Sequence, residues 1–128
     1  RDRAFNDYHV ETLLTRCNKI KALGLELNLT DVSLINIGQC LNGTLEELSL
    51  GPCDEISLWG FLELKYMPRL KILNVFYYRC KDEGEEIQNL RKHLPHLMIK
   101  TFWWLNWLKF VSSVTYKQEN YGQLKINV

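Results

Sequence analysis

A chain of 128 residues has room for about one domain, and 46% hydrophobic against 24% charged residues is an ordinary balance for a folded protein. A net charge of +1 argues against a dedicated nucleic-acid surface, whose footprint is strongly basic. The most apolar run, Phe102 to Val111, is broken by Asn106 and Lys109 and is too short to span a bilayer.

Taken in order, the first element expected is a helix over Asn6 to Cys17. Asn6 or Asp7 can accept from its first amides, and Val10, Leu13, Leu14 and Cys17 fall on one face. Ile20, Leu23, Leu25 and Asn28 then set out the spacing L-x-x-L-x-L-x-x-N. Thr30 or Asp31 caps a second helix, which carries Leu34, Ile37 and Leu41 and stops at Asn42-Gly43. Leu45, Leu48, Leu50 and Cys53 restate the spacing 25 residues after Ile20, with a strand over Leu45 to Leu50. A third helix is predicted from about Ser57 to Met67, with Leu58, Phe61 and Leu62 inward and Pro68 ending it. Leu70, Leu73, Val75 and Tyr78 give a third ladder after another 25 residues, with a strand over Leu70 to Val75. The fourth helix opens with Asp82, Glu83 and Glu85 and closes with Arg91, Lys92 and His93, so both ends complement the helix dipole before Pro95. Leu94, Leu97, Ile99 and Phe102 form a fourth ladder, 24 residues after the third.

Apolar ladders recurring at a period in the 20–29 range read as a leucine-rich repeat. The expected fold is therefore α/β: a leucine-rich-repeat solenoid, a right-handed β-α superhelix with a parallel concave sheet and convex helices. Each strand–helix unit is stable only when stacked on its neighbours. Residues 1–102 are assigned to about four such units, incomplete at the N-terminus, and 103–128 to a C-terminal cap or tail. No polar cap precedes Asn6, so further repeats are expected ahead of Arg1. Strand side chains alternate between faces, which predicts a concave surface of Ala22, Gly24 and Glu26, then Glu47, Ser49 and Gly51, then Ile72, Asn74 and Phe76, then His96, Met98 and Lys100. In the tail, Trp103, Trp104, Trp107, Leu108 and Val111 would share one face of a helix. A cap over the fourth repeat is the first reading, ahead of a partner-binding patch and a membrane-surface helix.

The chain offers no nucleophile–base pair, phosphate loop or carboxylate pair, so no catalytic residue and no cofactor is expected. His93 and His96 lack a third ligand nearby and read as a helix-end charge and a surface residue rather than a metal site. Cys17, Cys40, Cys53 and Cys80 make no C-x-x-C pair and are expected as free thiols, buried where they occupy repeat positions, in a reducing compartment. Cys80, outside those positions and flanked by Arg79 and Lys81, reads as a surface-turn cysteine. The sequons at Asn28 and Asn42 read as chance matches, since Asn28 occupies an inward slot. Two readings stand for Phe76, Tyr77 and Tyr78. Either they form a docking hot spot on the concave face, or Tyr78 fills the Asn/Cys slot and Phe76 packs beneath the tail.

The spacing L-x-x-L-x-L-x-x-C/N followed by a capped helix, as in Leu29-Thr-Asp-Val-Ser-Leu34, with Cys17-Asn-Lys-Ile20 before the next strand, resembles the cysteine-containing leucine-rich repeats of F-box proteins. Met67-Pro-Arg-Leu-Lys-Ile-Leu-Asn-Val-Phe76, Leu90-Arg-Lys-His-Leu-Pro-His-Leu-Met-Ile99 and Gln118-Glu-Asn-Tyr-Gly122 carry the likeness further, to the C-terminal part of that family. Trp103, Trp104, Trp107 and Lys100 depart from its pattern. The resemblance implies a non-catalytic substrate receptor of an SCF ubiquitin ligase, acting in the nucleus and cytoplasm, with a tail folded back along the concave face. It implies contact with a protein substrate, phosphorylated or not, and the concave-face reading assigns that contact to Phe76, Asn74, Glu47, Ser49 and Met98, with Tyr77 beside them. It also implies that Phe76 faces a small cyclin-kinase accessory protein. The SCF adaptor would be reached only through an F-box absent from this chain, and neither nucleic acid nor membrane is an expected partner. A second reading is a non-catalytic leucine-rich-repeat assembly factor of the mitochondrial type, which an Arg-rich amphipathic presequence upstream would favour. A third is an extracellular repeat receptor, which needs oxidised cysteines and a glycan on Asn42.

Overall fold

A computed structural model describes residues 5–16, 19–25, 27–51, 55–77, 85–103, 116–118 and 122–124. Helices α1 (Asp7–Arg16), α2 (Asp31–Cys40), α3 (Leu58–Leu62) and α4 (Glu85–His93) alternate with strands β2 (Ala22–Leu25), β4 (Glu47–Leu50), β5 (Ile72–Tyr77) and β6 (Met98–Trp103). These four strands form one parallel sheet in chain order, β2-β4-β5-β6. Strand β1 (Phe5–Asn6) pairs in parallel with β3 (Leu27–Asn28), and β7 (Tyr116–Gln118) with β8 (Gly122–Leu124) makes an antiparallel hairpin that the sequence pattern did not announce. The protein is an α/β structure with helices in one layer and the parallel sheet in the other.

Register explains why the leucines recur. Leu23, Leu48, Leu73 and Ile99 lie side by side across the sheet, and Leu25, Leu50 and Val75 form the next row. All seven are buried in one core, with Leu34 and Ile37 of α2, Phe61 of α3 and Ile87 and Leu90 of α4. The helices stand in a row, α1 against α2, α2 against α3 and α3 against α4, over that single face. Each strand therefore buries one side under helices, and deleting a large side chain there costs about 2–5 kcal/mol.

The fourth strand departs from the predicted spacing. Leu94 N donates to Leu90 O, so Leu94 closes α4 instead of opening a ladder, and Leu97 N donates to Leu94 O across the Pro95-His96 turn. Ile99 consequently pairs with Leu73, not Val75, and the row of Leu25, Leu50 and Val75 ends on the half-buried Thr101. Phe102, expected in the ladder, falls beside Phe76 on the other face of the sheet. The third helix is also shorter than predicted: α3 gives way to a 3-10 turn over Glu63–Tyr66, which turns Leu64 and Met67 inward and leaves Leu58 and Leu62 half-buried. Cys40 is a free thiol but an exposed one, because Leu41 takes the buried place at the end of α2. Cys17, Cys53, Cys80, Tyr78 and the Trp104–Val111 stretch lie outside the described residues.

Asp31 joins two neighbouring units. Thr30 caps α2, its Oγ1 accepting from Val32 N at 3.2 Å, which frees the Asp31 carboxylate for the next helix. Asp31 Oδ1 accepts from Ser57 N at 2.8 Å and Oδ2 from Ser57 Oγ at 2.6 Å, so Ser57, at the start of α3, donates instead of capping. The close approach requires Gly60: a Cβ there would overlap Asp31 Oδ1 and sit 2.7 Å from its Cγ and 3.1 Å from its Cα. Gly to Ala within a helix normally stabilises by roughly 1 kcal/mol. Here Gly60→Ala is expected to destabilise, and urea titration of Gly60→Ala, Asp31→Ala and the double variant checks it. Once the carboxylate is gone, Gly60→Ala should turn neutral or favourable, giving a coupling of about 0.5–3 kcal/mol between the two positions.

Candidate functional site

The sheet face turned away from the helices carries the residues between the leucines. Its rows are Ala22, Glu47, Ile72 and Met98, then Gly24, Ser49, Asn74 and Lys100, then Phe76 and Phe102. This is the face on which sequence reasoning put Glu47, Ser49, Asn74, Phe76 and Met98, five of its six candidate contact residues, and alternation along the strands was enough to find it.

Three of those candidates are joined by hydrogen bonds. Asn74 Nδ2 donates to Ser49 Oγ at 2.9 Å and to Glu47 Oε2 at 3.1 Å, which uses both amide hydrogens and holds the carboxylate over the sheet. Neighbouring parallel strands stand about 4.8 Å apart, close enough for a side chain on β5 to reach β4 directly. Ser49 and Asn74 are 2% and 4% exposed, and Phe76 is 1% exposed, stacked on Phe102 with ring centroids 4.9 Å apart. The expectation of an open surface at these three positions is corrected: they are covered. Burial of Phe76 agrees with the packing reading of that residue. Glu47 remains half-buried, Met98 is 54% exposed, and the side chain of Tyr77 lies outside the described residues.

What stays accessible is a strip along the N-terminal ends of the strands. Half-buried Ala22, Glu47 and Ile72 lead to exposed Met98, with exposed Lys100 beside it and exposed His96 at the turn before β6. The strip has an acidic side chain towards its middle and a cation at its β6 edge. Among the described strand residues of this face, Lys100 is the one cation. Sequence reasoning singled out Met98 and Glu47 from this strip and not Ile72 and Lys100, although alternation had placed all four on the face. The missing signal was which rows are covered, because burial of Ser49, Asn74 and Phe76 is a tertiary property.

Strand β7 lies against β2 without joining its sheet. Strand β7 thus sits at the edge of the sheet opposite β6. Among the described residues, no group of three or more His, Cys, Asp or Glu is placed to hold a metal ion. His93 Nδ1 is 2.8 Å from Asn89 O, one turn back at the end of α4, and His96 is exposed. None of the helices among the described residues is long and apolar enough to cross a membrane.

No protein-family model matches the chain, and no curated protein matches it.

The polar trio makes a distinct stability prediction. Asn74→Ala removes two donors and leaves Ser49 Oγ buried without that partner, so it should lower unfolding stability by about 1–3 kcal/mol. Glu47→Gln keeps an oxygen acceptor for the Asn74 amide and, at a half-buried position, should change stability by about 0.5 kcal/mol or less. Chemical denaturation of the two variants beside the parent chain measures both.

Proposed function

We propose that this chain is a protein-recognition module: the C-terminal repeats of an F-box substrate receptor of an SCF-type ubiquitin ligase, acting in ubiquitin-dependent degradation without catalysing it. The observation that carries the reading is the four-stranded parallel sheet in chain order, whose paired residues are 25, 25 and 26 positions apart and whose leucines sink into one core with the intervening helices. A right-handed leucine-rich-repeat solenoid meets each of those conditions. The F-box family, and within it the S-phase-kinase-associated member, is suggested by the Leu-Pro-His-Leu and Asn-Val-Phe segments.

In this reading the sheet face presents the substrate, phosphorylated or not, and other ligase subunits supply the chemistry. Burial moves the contact from Phe76, Asn74 and Ser49 to the strip of Glu47, Ile72 and Met98, where a partner can reach side chains without unfolding the sheet. The exposed ammonium of Lys100 suits a phosphate or carboxylate on the partner. The buried Asn74, bonded to Ser49, then has a positioning role, holding the Glu47 carboxylate in one orientation. Phe76, stacked on Phe102, supports the layer beneath any accessory protein instead of meeting it through an open ring face. Nucleus and cytoplasm are the compartments this function requires. The second reading, an assembly factor with the same repeat, shares the surface but not the ligase partners.

Affinity capture with the full natural chain from cells tests the assignment. Wild type is expected to recover a cullin and the ligase adaptor together with at least one client, and Met98→Asp to lose that client while keeping the ligase subunits. Client recovery unchanged by Met98→Asp would move the contact off this strip. Capture without cullin or adaptor would remove the ligase reading in favour of the assembly factor.

A further inference from the structure

The turn that joins α2 to β4 holds a pair of residues whose chemistry the fold does not use. Of the asparagines in the chain, Asn42 alone is followed by glycine. Both Asn42 and Gly43 are exposed, between the buried Leu41 that ends α2 and the buried Leu45. Leu41 O accepts from Thr44 N at 3.1 Å and from Leu45 N at 3.0 Å, so these two amides close the turn around the pair. Gly43 N is passed over. Among the described residues no hydrogen bond takes up that amide or the Asn42 carboxamide.

Asparagine is among the chemically labile residues, and its lability depends on the residue that follows. A backbone nitrogen can attack the carboxamide carbon of the asparagine before it, and two obstacles normally prevent this. A side chain on the following residue crowds the approach, and a hydrogen bond to the nitrogen holds it out of reach. Both obstacles are missing at Gly43. A Cβ there would meet nothing within 4 Å, and its backbone lies outside the left-handed region that demands glycine. The turn therefore tolerates a side chain at this position, and glycine leaves the nitrogen open.

We propose that Asn42 is a site of spontaneous deamidation to aspartate and isoaspartate. Gly43 N gives its proton to solvent and bonds to Asn42 Cγ, closing a succinimide ring. The bond from Cγ to Nδ2 breaks, and Nδ2 takes up a proton and leaves as ammonia. Water then opens the ring at either carbonyl, giving aspartate or an isoaspartate whose backbone runs through Cγ. One water is consumed and one ammonia released, with no change of oxidation state. The new carboxylate stands just past the C-terminal end of α2, where the helix dipole is negative and the last turn holds no basic residue to offset it. Isoaspartate also adds a methylene to the backbone between Leu41 and Leu45, both 0% exposed and tied by the bond from Leu45 N to Leu41 O. By charge and by length, the modification loosens the joint between α2 and β4.

Peptide mapping by mass spectrometry, on the folded full chain held in neutral buffer and sampled over weeks, tests the proposal. Asn42 should gain a single mass unit with time, while Asn36, half-buried in α2, should stay intact. Carboxyl methylation by an isoaspartyl methyltransferase with a labelled methyl donor should rise in step, reporting the isoaspartyl product. Gly43→Ala should slow the conversion by an order of magnitude or more, because its methyl group crowds the attacking nitrogen. Circular dichroism keeps that variant comparable, since the space around Gly43 is open. Asn42→Asp, made directly, should lower the urea midpoint of unfolding, and the aged chain should show the same direction of shift. No conversion at Asn42, equal conversion at Asn36, or a rate indifferent to Gly43→Ala would each overturn the proposal. An unfolding midpoint unchanged by Asn42→Asp and by ageing would overturn its consequence for the joint.

Discussion

The fold depends on each strand of the parallel sheet needing helices over one face and at least one paired strand beside it. A strand of four residues such as Glu47–Leu50 buries two leucines and cannot shield them alone. Shielded by α2 and α3, and hydrogen-bonded to β2 and β5, those leucines reach 0% and 1% exposure. Burial of one leucine side chain is worth roughly 1.5–3 kcal/mol. The rows of leucine across the sheet therefore couple the units: what stabilises one strand is supplied by the next.

Chain-order stacking was legible because the physical requirement repeats at a fixed interval. Leu23, Leu48 and Leu73 each need a partner at the same height, and the sequence shows that need directly at 25-residue spacing. Caps were equally readable at Thr30, whose hydroxyl does accept from Val32 N. Less legible was the fourth strand, where spacing alone could not tell a helix-ending leucine from a strand leucine. Leu94 fits either role on paper, and the register that pairs Ile99 with Leu73 decides. Nor could periodicity announce that Asp31 would act on Ser57, a long-range cap between two helices.

The candidate site divides along the same line. Alternation placed Glu47, Ser49, Asn74, Phe76 and Met98 on one face correctly, since it follows from backbone geometry alone. Accessibility did not follow, because burial of Ser49, Asn74 and Phe76 is a tertiary property. Where Ser49, Asn74 and Phe76 are covered, a polar residue and an aromatic become parts of the scaffold: the amide of Asn74 is consumed by its neighbours and the ring of Phe76 by Phe102. The accessible part of that face is narrower than the sequence suggests and lies at the N-terminal ends of the strands. Gly60 shows the converse, a residue with no signal in the periodic pattern that the packing makes necessary.

The central claim is that these strand–helix units hold one another up across shared rows. Amide hydrogen exchange on the parent chain and on Leu48→Ala measures this most directly, read at β2, β4 and β5. If the rows couple the units, the substitution lowers protection in all three strands together, by a similar free energy. A loss of protection confined to β4, with β2 and β5 unchanged, would contradict the account.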